Sequence, residues 1–127
     1  TPLVIKLAIG AKTASINDSP YILEAEPYID AEAGRTLVPV RFVSEALGAE
    51  VGWNPKNRQV TITYGAKVII LTIDSSQVQV NGEKQTIDCA PVITGSGRTF
   101  VPLRFISETL EAEVVYDPNG GQIMIAR

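Results

Sequence analysis

The chain has 127 residues, 45% of them apolar and 20% charged, with a formal net charge of −3 and a pI near 4.9. This is the composition of a globular protein, and its acidic balance argues against nucleic acid, which requires a basic face, and against electrostatic docking on anionic lipid. No apolar run approaches the ~20 residues needed to span a bilayer, and the single cysteine, Cys89, cannot form a disulfide within the chain.

Residues 4–9 alternate, with Ile5, Leu7 and Ile9 on one face and Val4, Lys6 and Ala8 on the other, which predicts a strand. Residues 13–23 predict a hairpin, and Asn17-Asp18-Ser19-Pro20 predicts a wide loop at its tip. Pro27 opens a short extended segment. Pro39 stands where a helix should begin, so a helix is expected over 39–47, with Val40, Val43 and Leu47 on its apolar stripe and Phe42 and Ala46 beside it. Gly48 suits the left-handed position that ends such a helix. Ala49, Val51 and Trp53 then alternate inward, 54–57 form a turn, and Val60, Ile62 and Tyr64 make a closing strand. Gly65-Ala66 is a tight link into the next strand.

From Val68 the pattern begins again. Val68, Ile70 and Thr72 replace Val4, Lys6 and Ala8; with Lys6 become Ile70, this face is expected to be wet in the first half and buried in the second. Asn81-Gly82 supplies the positive φ values of a type I′ turn within a hairpin over 77–87. Pro102 opens a helix expected over 102–110, with Glu111 where the first half has Gly48. Ala112, Val114 and Tyr116 alternate inward, 117–121 form a turn, and Ile123 and Ile125 close the chain.

These parallels rest on a repeated stretch. GRTLVPVRFVSEALGAEV, from Gly34 to Val51, returns as GRTFVPLRFISETLEAEV, from Gly97 to Val114, with thirteen of eighteen positions identical at an offset of 63. Upstream, Val4 aligns with Val68, Asn17 with Asn81 and Pro27 with Pro91; downstream, Pro55 aligns with Pro118 and Ile62 with Ile125. The chain therefore reads as two tandem units, 1–65 and 66–127. Units of this size are marginal alone, so the two are expected to pack together as one rigid body.

The pattern G-R-T-x-V-P-x-R-F-x-S-E-x-L-x-A-E-V, followed by an aromatic, Asn or Asp, and Pro, resembles the copper amine oxidase N-terminal-like domain, also called the stalk domain. The resemblance covers essentially the whole chain, twice. It implies a non-catalytic module of exported and cell-surface proteins of Gram-positive bacteria, without a copper site or cofactor tyrosine. The expected fold class is α+β: two tandem repeats, each a small, mostly antiparallel, twisted β-sheet curled around one short α-helix.

The residues themselves point away from catalysis. Histidine is absent, which removes the commonest general base and metal ligand, so zinc and copper sites are not expected. No Ser-His arrangement and no glycine-rich phosphate loop is present. Paired carboxylates can hydrolyse glycosides, and Glu45 and Glu108 are the best placed. Each, however, follows Arg41 or Arg104 by four residues, where a helix brings the side chains together as structural pairs. Arg35 and Arg98 are expected to tie their loops to backbone carbonyls or to a carboxylate, or else to recognise an anionic wall polymer. The acidic run Glu24, Glu26, Asp30 and Glu32 reads as a solvated loop, with calcium as the alternative. Cys89 reads as a small buried residue, with a surface thiol able to link chains as the alternative. Trp53, Tyr64 and Tyr116 fall in phase with core residues and are expected to be buried. Tyr21 and Tyr28 face Gln85 and Val92 in the other unit, so the fold does not need their rings; they are the candidate ligand-binding residues.

The expectation is thus a spacer or interaction module with no enzyme activity and no cofactor, and with Arg35, Pro39, Arg41, Glu45, Arg98, Pro102, Arg104 and Glu108 as structural motif residues. The alternative is a module that binds cell-wall polysaccharide. Expected partners are neighbouring domains of a larger surface protein and wall polysaccharide, with no nucleic acid and no membrane insertion. Self-association by exchange of the apolar first strand is a further expectation. The expected location is the cell envelope or extracellular space, with any signal peptide outside this chain.

Overall fold

The computed structural model describes residues 2–95, 97–117 and 119–127. The turn read at 117–121 thus includes Pro118, which, like Ser96, lies outside the described residues. The first half holds β1 (Val4–Ala8), β2 (Thr13–Ile16), β3 (Ser19–Ile22), β4 (Tyr28–Asp30), β5 (Arg35–Pro39), α1 (Val40–Ala46), β6 (Glu50–Asn54) and β7 (Gln59–Tyr64). The second half has the same order: β8 (Lys67–Thr72), β9 (Gln77–Val80), β10 (Glu83–Thr86), β11 (Val92–Ile93), β12 (Thr99–Pro102), α2 (Leu103–Thr109), β13 (Glu113–Asp117) and β14 (Gln122–Ala126).

The expected fold class needs correction on two counts. About half of the chain is strand and only 11% is helix, so the protein is mostly β rather than α+β. Nor does each half wrap a sheet of its own around one helix. Two five-stranded sheets run β13-β14-β1-β2-β3 and β10-β9-β8-β7-β6, and a four-stranded sheet runs β11-β12-β5-β4, so all three take strands from both halves. In the third sheet β5 and β12 lie antiparallel with Val38 opposite Val101, and the helices leave from the prolines at their ends. Pro39 and Pro102 are held at φ −60 with extended ψ, which closes each strand; the helices proper start one residue later than the sequence suggests.

Short-range geometry explains the hairpins. Ile16 pairs with Ser19, so the tip is a two-residue turn with Asn17 at φ 49 and Asp18 at φ 69, not the wide loop expected. Asn81-Gly82 does the same at φ 52 and 83. Both asparagines also brace the neighbouring strand: Val4 N–H donates to Asn17 Oδ1 and Val68 N–H to Asn81 Oδ1, each at 2.8 Å. The free edges of these hairpins carry Pro20 in β3 and Lys84 in β10, residues that discourage strand addition.

One continuous core takes the inward side chains of both five-stranded sheets, the helix stripes Val40-Val43-Leu47 and Leu103-Ile106-Leu110, and Val38 and Val101. The opposite face of the central sheet holds a smaller cluster of Leu37, Phe100 and Cys89, with Tyr28 against it. Burial, with Asp30 and Asp88 nearby, raises the pKa of the Cys89 thiol. The outer sheet faces are not covered: Val68 is exposed and Ile70 half-buried, so the second half does not bury the face that carries them. At one sheet the halves join through the Gly65-Ala66 turn, with Tyr64 opposite Lys67. At the other, β1 lies beside β14, and Leu3 and Arg127 exchange backbone hydrogen bonds of 2.8 and 2.9 Å.

Candidate functional site

Two grooves of like construction lie on the molecule. Each forms where the helix of one half faces the Gly-Arg-Thr loop of the other. The first, of about 570 Å³, sets Pro39, Arg41, Glu45 and Trp53 opposite Arg98. The second, of about 620 Å³, sets Pro102, Arg104, Glu108 and Tyr116 opposite Arg35. The eight motif residues singled out in sequence thus divide four and four, and each groove borrows its loop arginine from the other half.

Both loop arginines bind a carboxylate of the opposite half. Arg35 Nε donates to Asp88 Oδ2 at 2.9 Å, and Arg98 Nη1 lies 2.7 Å from Glu24 Oε2. The hydrogen bond from Arg35 holds the Asp88 carboxyl below its ordinary pKa and, in return, raises that of the guanidinium. On the helices, Arg41 Nη1 donates to Glu45 Oε2 at 3.1 Å and Arg104 Nη1 to Glu108 Oε2 at 3.4 Å. Each carboxylate on the helix is therefore engaged by an arginine, an arrangement unlike the two free acids of a glycosidase. The partners Glu24 and Asp88 were legible as acids at like positions, 64 residues apart.

The aromatic residues depart from the sequence reading. Trp53 and Tyr116 were expected in the core, yet they are 43% and 36% exposed and stand on the groove rims. Cover runs out along each strand: exposure rises from buried Ala49 through half-buried Val51 to Trp53, and from buried Ala112 through half-buried Val114 to Tyr116. Tyr64 is half-buried, with the Arg127 guanidinium 4.9 Å above its ring. That guanidinium also donates to Leu110 O at 2.8 Å and to Leu47 O, satisfying the last carbonyls of both helices at once. Lys67 Nζ donates to Thr109 O at 2.8 Å. Neither contact was visible in sequence.

The structure separates the two candidate ligand residues. Tyr21 is exposed and stands edge-on to Phe42, which lines the first groove, at 6.1 Å between ring centres. Tyr28 packs edge-on against Phe100 at 5.1 Å in the smaller cluster, and burial raises its hydroxyl pKa. In the acidic run, Glu24 is held by Arg98, and Asp30 Oδ1 accepts the N–H groups of Glu32 and Ala33. Among the described residues no group of three or more potential metal ligands comes together, and no helix is long and apolar enough to cross a membrane.

Comparison with known proteins agrees in kind. Residues 15–125 match the profile of a family described as the copper amine oxidase N-terminal domain. A relative from Brevibacillus choshinensis, named as a protease inhibitor, is 29% identical over 114 residues. That match covers 90% of this chain and 35% of the relative, so the chain spans about a third of that protein's length.

Proposed function

Because the chain belongs to the copper amine oxidase N-terminal domain family, we propose that it is a non-catalytic interaction module of a larger exported bacterial surface protein, which associates with the cell envelope through its two grooves. The observation that supports this is the pair of grooves itself. Each presents an exposed aromatic beside arginines that are already neutralised by carboxylates. Such a surface recognises a partner by contact and hydrogen bonding. A spacer role gains less support: Leu3 and Arg127 are paired, so whatever is joined to the two ends leaves from one place.

Polysaccharide is the ligand class favoured by the exposure of Trp53 and Tyr116 at like positions. The relative named for protease inhibition makes a protein partner the other class. Co-sedimentation with purified Gram-positive cell envelope, at low and high salt, tests the reading. Retention that survives salt is expected, with most of it lost in a Trp53→Ala/Tyr116→Ala double variant. No retention, or full retention by that variant, would overturn it.

A further inference from the structure

We propose that the groove around Trp53 is a binding site for a neutral polysaccharide, with Tyr21 and Ile22 as part of it. This rests on the reading that the grooves bind polysaccharide and narrows it to an uncharged chain, to one groove and to the residues of its rim.

The molecule contains its own control. In the second half the positions of Tyr21 and Ile22 are taken by Gln85 and Thr86, which form the same hairpin in the same register. The hairpin therefore needs no apolar side chain at either place. Yet Ile22 is 79% exposed and Tyr21 45%. Ile22 lines this groove beside Trp53 and Phe42, with Tyr21 edge-on to Phe42, whereas the second groove keeps aromatics at Tyr116 and Phe105 but has Thr86 in the place of Ile22. Two large, exposed apolar side chains that the hairpin does not need mark a contact surface.

Charge and shape narrow the ligand. The four ionised groups of the groove pair off as Arg98–Glu24 and Arg41–Glu45, at 2.7 and 3.1 Å, leaving no net charge to attract a polyanion or a polycation. All four side chains remain about half exposed or more. Their unused donors and lone pairs stay open to hydroxyl groups. A sugar ring offers both halves of the match: C–H faces for the indole of Trp53 and the aliphatic surface of Ile22, and equatorial hydroxyls for the guanidinium and carboxylate edges.

Trp53 is the chain's one tryptophan, so its emission reports this groove alone. The whole chain is titrated with β-1,4-linked hexamers of glucose, xylose, mannose and N-acetylglucosamine, and with polygalacturonate as the charged control. A saturable change in Trp53 emission with at least one neutral hexamer, and none with polygalacturonate, is expected. Tyr21→Gln/Ile22→Thr, which copies residues the fold already accepts in the second half, should weaken binding about tenfold or more. Gln85→Ala should leave it unchanged. If no neutral hexamer changes the emission while Trp53→Ala still reduces envelope retention, the groove takes a protein and this assignment is overturned, with the module reading intact. Retention indifferent to Trp53 and Tyr116 sinks the module reading itself. Undiminished sugar binding by Tyr21→Gln/Ile22→Thr overturns the role given to the rim.

Discussion

Glu111 ends α2 with its backbone at φ 66, the place where α1 has Gly48 at φ 90. The two ends make the same bonds: Gly48 and Glu111 N–H donate to the carbonyls of Glu45 and Glu108 at 3.0 Å, and Ala49 and Ala112 N–H to those of Ser44 and Ser107 at 2.9 Å. Only the side chain differs, and a Cβ in the left-handed region is strained. Glu111→Gly should therefore raise stability by up to about 1 kcal/mol, less than the strain relieved because glycine also gains freedom in the unfolded chain. Chemical denaturation, read as a higher midpoint at unchanged slope, checks it. Residue identity was a good guide where geometry is local, as with Asn81-Gly82 or the arginine and glutamate four apart on each helix. It misled at Trp53 and Tyr116, because alternation shows which face of a strand a side chain takes but not whether anything covers that face.

At the scale of elements, the strands and helices were legible from period and punctuation, while the partners of the strands were not. β14 pairs with β13 on one side, and it has Ile123 and Ile125 inward whether its second neighbour is another strand of its own half or β1, so both arrangements leave the same pattern in the sequence. The pairing that wins gives one core for both halves, and unfolding should follow suit. Ile106, fully buried on α2, contributes to the same cluster as Val60 and Ile62 of the first half. Ile106→Ala should cost about 2–5 kcal/mol. Trp53 emission, which reads the first half, should shift its midpoint together with far-UV circular dichroism. Two separated transitions would mean that the halves fold independently.

For the whole molecule, the two five-stranded sheets are alike except at one point. In one, β7 runs into β8 through Gly65-Ala66; in the other, β14 and β1 hold the same relation without a covalent link. A permuted chain that starts at Ala66, ends at Gly65 and joins Arg127 to Leu3 by a two-residue turn should fold to the same structure. Its melting temperature should stay within several degrees of the parent's, and a molten or aggregated product would show that the order of synthesis matters to the fold. The same pairing governs how the module responds to mechanical load. If neighbouring domains pull on Leu3 and Arg127, the force runs along the hydrogen bonds between β1 and β14 and not across them, and opens them one after another from the end. Strands loaded in that direction give way at low force. Under tension the module should act as an extensible safety link, releasing chain length early and sparing the domains on either side of it.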